Sequence, residues 1–379
     1  MISSFRFISC ILLFALLTWT SADAQTNRAL SSDKAAKVEQ SINAWMSRLK
    51  APGLSISVVR DNQISFQKGF GMSDIENDIP AGGATVYRLA SVSKPITAIA
   101  IMQLVEKGKI DLDAPVQKYV PTFPVKSHPV RIRDLLTHTS GIRHYKGDEF
   151  ASTRHYKSLT EALSMFKDDP LEHNPGLKHT YSTHGYTLLG VIIESASGMS
   201  FADYLRENIF KPAGMSQSRI DSVTDIIKYR ADGYQKTEQG EIRNADLADT
   251  SYKLPGGGLV STVEDMARFA IALQNGTLIK KESFQLMTKN YLSKEIIERT
   301  FAPAKPPPGL ELGYGFGWII GTKKRKDSVW HGGVQQGVTT VIYILPKERM
   351  ALSIMTNLEG EGSEIENIAD QVANIILQE

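Results

Sequence analysis

Ser91-Val-Ser-Lys-Pro-Ile-Thr-Ala-Ile-Ala-Ile-Met-Gln-Leu-Val105 is the stretch from which the rest of the chain is best understood. Pro95 fits a helix only in its first turn, where its missing N–H is not needed, so a helix begins near Ser91 to Lys94 and continues to about Lys107. Ile96, Ile99, Ala100, Ile101, Met102, Leu104 and Val105 make that helix apolar nearly all round, which predicts burial in the core. Ser91 and Lys94 then stand at its N-terminus, where free N–H groups and the helix dipole favour a developing alkoxide. Three residues apart, they share one helical face. A lysine at the mouth of a buried helix is partly desolvated, which favours the neutral amine that can take the proton of a serine nucleophile.

The tetrapeptide Ser-x-x-Lys alone means little, because it occurs at Ser31/Lys34, Ser47/Lys50, Ser65/Lys68, Ser91/Lys94 and Ser164/Lys167. Position selects among them. Ser65 falls in an expected strand, where residues three apart point to opposite faces, and Ser47 lies at a helix end just before Ala51-Pro52-Gly53. Ser31 opens a polar terminal helix and Ser164 sits among charged neighbours, so both face water. Ser91 alone has a proline-fixed helix start and an apolar helix behind it.

Around this helix the chain has 379 residues with 42% hydrophobic and 22% charged, the composition of an ordinary globular protein with length for a large core. Forty-three Lys plus Arg against 41 Asp plus Glu leave +2, which gives no electrostatic case for a nucleic-acid partner. Arg6, the apolar run from Phe7 to Thr20 and then Ser21-Ala22-Asp23-Ala24 have the form of a secretory signal peptide over residues 1–24. A run of 14 residues is short for a bilayer that takes about 20. Export to the periplasm or the medium is therefore expected, with no integral span after cleavage. The single cysteine, Cys10, lies in that segment, so the remaining chain offers neither a thiol nucleophile nor a disulfide.

Residues 25–379 form one hydrolase-type domain by this reading, with a sheet part over about 32–90 and 310–379 and a helical part over about 91–309. Val38, Ile42, Trp45 and Leu49 at helical spacing precede the alternating Gly53-Leu-Ser-Ile-Ser-Val-Val-Arg60 and Gln63 to Phe70, a helix followed by a hairpin. Tyr314 to Ile320, Ser328 to His331, Val338 to Leu345 and Met350 to Thr356 have strand character. A final helix carries Ile365, Ile368, Val372, Ile375 and Ile376 on one face, opened by the capping box Ser363-Glu-Ile-Glu366. Between these ends the pattern is helical: Ile132 to Thr137, Leu159 to Phe166, Gly185 to Ala196, Phe201 to Ile209 and Thr262 to Asn275. Pro303 and Pro306 to Pro308 stiffen a loop, and Lys323-Lys-Arg-Lys326 is expected at a solvated hairpin tip.

Two further segments can carry chemistry. His331-Gly332-Gly333-Val334 follows Trp330 at a strand end, and its glycines allow a backbone to approach a ligand closely, as an oxyanion site requires. Tyr181, between Pro175-Gly176 and the next helix, has a hydroxyl able to pass a proton to a leaving group if a lysine stands beside it.

Together, Ser91-Val-Ser-Lys94, Tyr181-Ser-Thr183 and His331-Gly-Gly333, in that order, resemble the motifs of the serine β-lactamase and penicillin-recognising enzymes, the class C-like members in particular. Leu136-Thr-His-Thr-Ser-Gly-Ile-Arg-His-Tyr145, Tyr181-Ser-Thr-His-Gly-Tyr-Thr-Leu-Leu189 and Ser251-Tyr-Lys-Leu-Pro-Gly-Gly-Gly-Leu-Val-Ser-Thr262 are similar to the mitochondrial β-lactamase-like branch of that family. The resemblance implies an α+β fold: an antiparallel five-stranded sheet flanked by the terminal helices, with an inserted all-helical lobe and the site between them. It implies a serine hydrolase in which Ser91 is acylated, Lys94 is its base and Tyr181 protonates the leaving atom and later activates water. His331 would complete the proton network or meet a substrate acid group. The backbone N–H groups of Ser91 and Val334 would hold the oxyanion, with Thr183, Gly332 and Gly333 beside the substrate.

Two departures bear on the substrate. Thr183 stands where the family pattern has the asparagine that hydrogen-bonds a substrate amide, and His331 replaces lysine, removing a permanent cation. Esters and peptides thus become the expected small substrates, with β-lactam turnover weak. The alternative is a penicillin sensor or filament-forming scaffold with slow or absent turnover, and the filaments of the mitochondrial members extend self-association to this chain by analogy. No cofactor is called for. The histidines at 128, 138, 144, 155, 173, 179 and 184 form no His-Glu-x-x-His, so zinc chemistry has no footing in the sequence.

Overall fold

The computed structural model describes residues 29–302, 313–321 and 327–378, so the expected signal segment, the prolines at 303 and 306–308 and the basic run 323–326 lie outside the described residues. Helix α1 (Ser32–Leu49) leads into strands β1 (Gly53–Arg60) and β2 (Gln63–Asp74), followed by the short β3 (Ile79–Pro80). After the helical middle come β4 (Ile319–Ile320), β5 (Val329–Gln335), β6 (Val338–Leu345) and β7 (Met350–Thr356). The sheet order is β3-β2-β1-β7-β6-β5-β4, antiparallel throughout. Seven strands thus stand where five were expected. The five long ones are among those the sequence pattern marked; of the two short edge strands, β4 is what forms of the expected strand Tyr314 to Ile320 and β3 has too few residues to show a period. Of the expected strand from Tyr314 to Ile320, only the last two residues pair with β5, and Tyr314 makes a lone bridge to Ile319.

The sheet is covered on both faces, which is why β1, β6 and β7 are buried almost along their whole length. Leu54, Ile56 and Val58 of β1 and Leu352 and Ile354 of β7 face α1 and the C-terminal helix (Gly362–Leu377), where Trp45, Ile365, Ile368 and Val372 fill the layer. The alternate positions of β1 are Ser55, Ser57 and Val59, turned toward the helical lobe. There the Ser57 hydroxyl donates to the Val263 carbonyl at 2.6 Å, satisfying a buried polar group at the seam between the two parts. The C-terminal helix starts at Gly362, one residue ahead of the expected capping box, and no side chain caps it.

The lobe is built on helix α2 (Ser93–Glu106), whose residues Ser93 to Leu104 are all buried, together with α3 (Thr183–Ser197) and α4 (Val263–Gln274). Among the described residues no helix is long and apolar enough to cross a membrane. The lobe is not wholly helical: short strands at Tyr87–Arg88, Arg219–Ile220 and Leu259–Ser261 form a second small sheet, and Tyr234–Lys236 pairs with Ile242–Asn244. The first of these runs directly into the turn that carries Ser91.

Candidate active site

Pro95 occupies the third position of α2, and the chain enters the helix through a 3-10 turn, Ala90–Val92. Ser91 is therefore in the turn, not in the helix. Ala90 has φ +47°, a left-handed conformation that an L-residue adopts at a cost and that occurs where the surroundings enforce it. What enforces it is β5. That strand is paired with β4 only at Val329 and Trp330, which leaves His331 to Gln335 as an open edge against which the turn packs. The Leu89 carbonyl accepts from the Thr340 hydroxyl at 2.8 Å. A side chain at Gly333 would place its Cβ 2.6 Å from the Leu89 oxygen and 2.8 Å from the Ser91 nitrogen, so only glycine lets the strand approach the turn.

Lys94 is fully buried. Its amine lies 3.2 Å from the Ser91 hydroxyl, 3.2 Å from the Thr183 hydroxyl and 2.7 Å from the Gly256 carbonyl. Burial is the main force holding its pKa well below the ordinary lysine value, and the positive field of Lys253 adds to it. A neutral amine offers two N–H donors and one lone pair. The carbonyl must take one donor; with Thr183 taking the second, the lone pair is left facing the Ser91 O–H. The amine also sits 4.6 Å above the Tyr181 ring and 5.5 Å from that of Tyr186. Burial pushes the Tyr181 pKa up, and the nearby Ser91 hydroxyl partly opposes that push.

Ser182 caps α3 by accepting from the Gly185 N–H at 3.1 Å and donates its own hydroxyl to the Arg143 carbonyl at 2.8 Å. The Ser182 N–H donates to His138 Nδ1 at 3.1 Å, and the Thr183 N–H to His144 Nδ1 at 3.3 Å. Tyr181 and Thr183 are thus placed by the loop 138–144, which the buried Arg143 ties down through Glu149 and Asp169.

His331 is buried and lies behind the pocket. Its Nε2 meets the Tyr314 hydroxyl at 3.1 Å, that hydroxyl meets His138 Nε2 at 3.1 Å, and its Nδ1 lies 2.6 Å from the Gly332 carbonyl. These contacts assign every proton. His138 Nδ1 accepts from Ser182, so its Nε2–H donates to Tyr314; Tyr314 then donates to His331 Nε2, whose Nδ1–H donates to Gly332. Desolvation, helped by the Lys94 field, lowers the His331 pKa to about 3, so the ring is neutral near pH 7. The expectation that His331 meets a substrate acid group finds no support in this orientation.

The pocket beside Ser91 has a volume of about 200 Å³ and is lined by Tyr181, Thr183 and Val334 and by Tyr145, Phe150, Lys253 and Gln335, among others. Ser91, Lys94, Tyr181, Thr183 and Val334 are brought together. Gly333 serves as the close-approach residue, whereas Gly332 is turned to the opposite face of the sheet, where an added Cβ would sit 2.8 Å from Glu366 Oε1. Gly332 therefore does not stand beside the substrate as expected, because strand residues alternate faces and Gly333 has the inner one. Sequence reasoning missed His138, Tyr314, Lys253 and Gln335. The first and third lie in the stretches Leu136 to Tyr145 and Ser251 to Thr262 that carried the resemblance, so the signal was present without a role attached.

The Beta-lactamase family profile matches residues 38–375. The human mitochondrial serine beta-lactamase-like protein LACTB is 30% identical over 383 residues, covering 79% of this chain and 69% of that protein. Penicillin-binding protein 4* of Bacillus subtilis (strain 168) is 31% identical over 339 residues, covering 85% of this chain and 72% of that protein. Among solved structures, the octameric penicillin-binding protein homologue from Pyrococcus abyssi superposes with a TM-score of 0.76 at 29% identity, over 90% of this chain and 77% of that one.

Proposed function

The chain belongs to the beta-lactamase family and is a serine hydrolase, and on that premise we propose that it hydrolyses small esters or amides through an acyl-enzyme on Ser91. In this reading the Lys94 amine takes the hydroxyl proton as the Ser91 oxygen bonds to the substrate carbonyl carbon. The backbone N–H groups of Ser91 and Val334 hold the oxyanion, each such donor contributing about 3 kcal/mol. The Tyr181 phenol delivers its proton to the leaving atom and regains one from the attacking water, whose oxygen bonds to the carbonyl carbon; as the acyl bond to Ser91 breaks, the Lys94 ammonium returns its proton to the Ser91 oxygen. The observation that carries the proposal is the set of three partners around the Lys94 amine, which leaves a lone pair for Ser91 and no carboxylate to keep the lysine charged.

Two observations narrow the substrate. The Thr183 oxygen accepts from Lys94 and its single hydroxyl offers less to a substrate amide than an asparagine side chain would, and neutral His331 supplies no cation for a β-lactam carboxylate. Esters and peptide-like amides fit better than penicillins. Incubation with para-nitrophenyl acetate should give a burst of nitrophenolate equal to the enzyme concentration and an acetyl mass increment on the Ser91 peptide. Equal turnover by Ser91→Ala would end the proposal. Export belongs to the same reading, supported by the apolar run from Phe7 to Thr20, and the N-terminal residue of the secreted protein checks it. Self-association is likewise proposed, supported by the octameric Pyrococcus abyssi homologue, with light scattering as its measurement.

A further inference from the structure

One buried cation beside the nucleophile has no part in that chemistry. Lys253 is 1% exposed, yet among the described residues its amine makes a single hydrogen bond, to the Phe150 carbonyl at 3.4 Å, and no ion pair. It lies over the rings of Phe150, Tyr252 and Tyr145 at 4.8, 5.2 and 5.7 Å. The charges whose fields reach it are Arg88, Asp221 and Glu359. Asp221 is already bound by Arg88 and Arg230, and Glu359 accepts from the Gly337 N–H. Burying an ammonium without a counter-ion is costly, and such a group is retained where something else completes it.

A second donor on the same wall has no partner among the described residues. Gln335 is 1% exposed, lines the Ser91 pocket with Lys253, and its amide nitrogen is buried with no hydrogen-bond acceptor. The lining residues of this pocket include neither aspartate nor glutamate. The direction of the site follows from β5. His331, Gly333 and Gln335 share its inner face, with the turn of Ser91 packed at Gly333, so a substrate along this edge has one arm toward His331 and the other toward Gln335. Tyr181 belongs to the first arm: its ring neighbours are His138, His144 and His331, of which only His144 is within the field of Lys253. The leaving group, protonated by Tyr181, occupies that end, and the acyl chain extends to the other.

We propose that Lys253 and Gln335 form an acyl-side subsite for a carboxylate, so that the preferred substrates are esters or amides of short dicarboxylic acids or of acidic residues. This rests on the acyl-enzyme reading above and refines its substrate class. Lys253 and Gln335 lie on one wall, and an ammonium beside an amide N–H turned toward the pocket suits the two oxygens of a carboxylate, with the aromatic faces around Lys253 reducing the screening of the pair.

The test compares para-nitrophenyl half-esters of succinate, glutarate and adipate with the butyrate, pentanoate and hexanoate esters, each corrected for spontaneous hydrolysis. The expected result is a preference in kcat/KM for one or more half-esters of at least about tenfold, the range of a charge-assisted hydrogen bond, which collapses in Lys253→Met. A burst with both classes and no preference for the acids overturns this inference and leaves the Ser91 reading standing. Absence of a burst with every ester removes both. A full preference surviving in Lys253→Met also overturns it. Should that variant not fold, inhibition of butyrate-ester turnover in the native chain decides: glutarate inhibiting at least about tenfold below glutaramide supports the subsite, by the same charge-assisted bond, and equal inhibition refutes it.

Discussion

Lys94 and Lys253 are both buried lysines at one pocket, and their surroundings could hardly differ more. Around Lys94 every hydrogen-bonding position has a protein partner, with the Ser91 hydroxyl as one of three. Around Lys253 there is one weak contact and a ring of aromatic faces. An amine whose partners the protein supplies by itself is part of fixed machinery, whereas one left incomplete is shaped for something that arrives. Burial lowers both pKa values, that of Lys253 to about 7, so it cannot distinguish the roles; the count of partners does.

The largest break in this comparison comes at Lys94. Lys94→Met removes the proton acceptor, and kcat/KM should fall by about 10²–10⁴, while the melting temperature at pH 7 stays level or rises, because an amine forced to shed its proton on folding opposes stability. The sign follows from linkage. A lysine whose folded pKa lies below its usual 10.5 binds its proton more tightly in the unfolded chain, so stability climbs as pH rises from the lowered value toward 10.5. Denaturation curves from pH 7 to 10 should show that climb in the native chain and a flatter one in Lys94→Met. A variant that loses activity and stability together would mean that the lysine is a structural post.

The two glycines of β5 give a smaller and more local contrast. Gly333→Ala drives a methyl into backbone atoms of Leu89 and Ser91 at 2.6 and 2.8 Å, which neither can vacate without moving the nucleophile. A displacement on that scale costs about 10²-fold in kcat/KM. Gly332→Ala meets only the end of the Glu366 side chain at 2.8 Å, which can rotate, so its effect should stay within about twofold. Steady-state kinetics on the pair tests which face of the strand the chemistry uses, and equal losses would erase the distinction.

What the sequence disclosed and what it hid follow the same division. Ser91 and Lys94 were legible because a proline fixes their helix start and an apolar run fixes its burial, both local facts. The five long strands were legible by period; the edge strand Ile79–Pro80 was not, since two residues carry no period, and Ile319–Ile320 was read as part of a longer strand. Lys253 and Gln335 were hidden because nothing local distinguishes a buried lysine in Ser251 to Thr262 from an exposed one; only the tertiary fold sets it on the Ser91 pocket without a counter-ion. Tyr314 was read as a strand residue, and its role depends on His138, 176 positions earlier in the chain. The capping box at Ser363 to Glu366 failed for another reason: the helix begins at Gly362 and leaves that serine inside the first turn.

Tyr314 supports the smallest of these effects. Its hydroxyl is the hydrogen-bonded link between His138 and His331 among the described residues, accepting from the first and donating to the second at 3.1 Å each. Tyr314→Phe keeps the ring and deletes the link, leaving two buried imidazole nitrogens without partners, at a stability cost of about 1–3 kcal/mol. The Gly332 carbonyl still holds the His331 Nδ1–H, but the Nε2 lone pair loses its donor and lies within the field of Lys94. If Tyr314 only fills space, the variant melts lower with an unchanged pH profile. If it positions His331, kcat should also drop about fivefold, the equivalent of roughly 1 kcal/mol, and the acid limb of the kcat/KM profile should shift, because a histidine relieved of its donor protonates more readily than one whose lone pair is occupied. The shift in that limb, read alongside the melting temperature, separates positioning from packing.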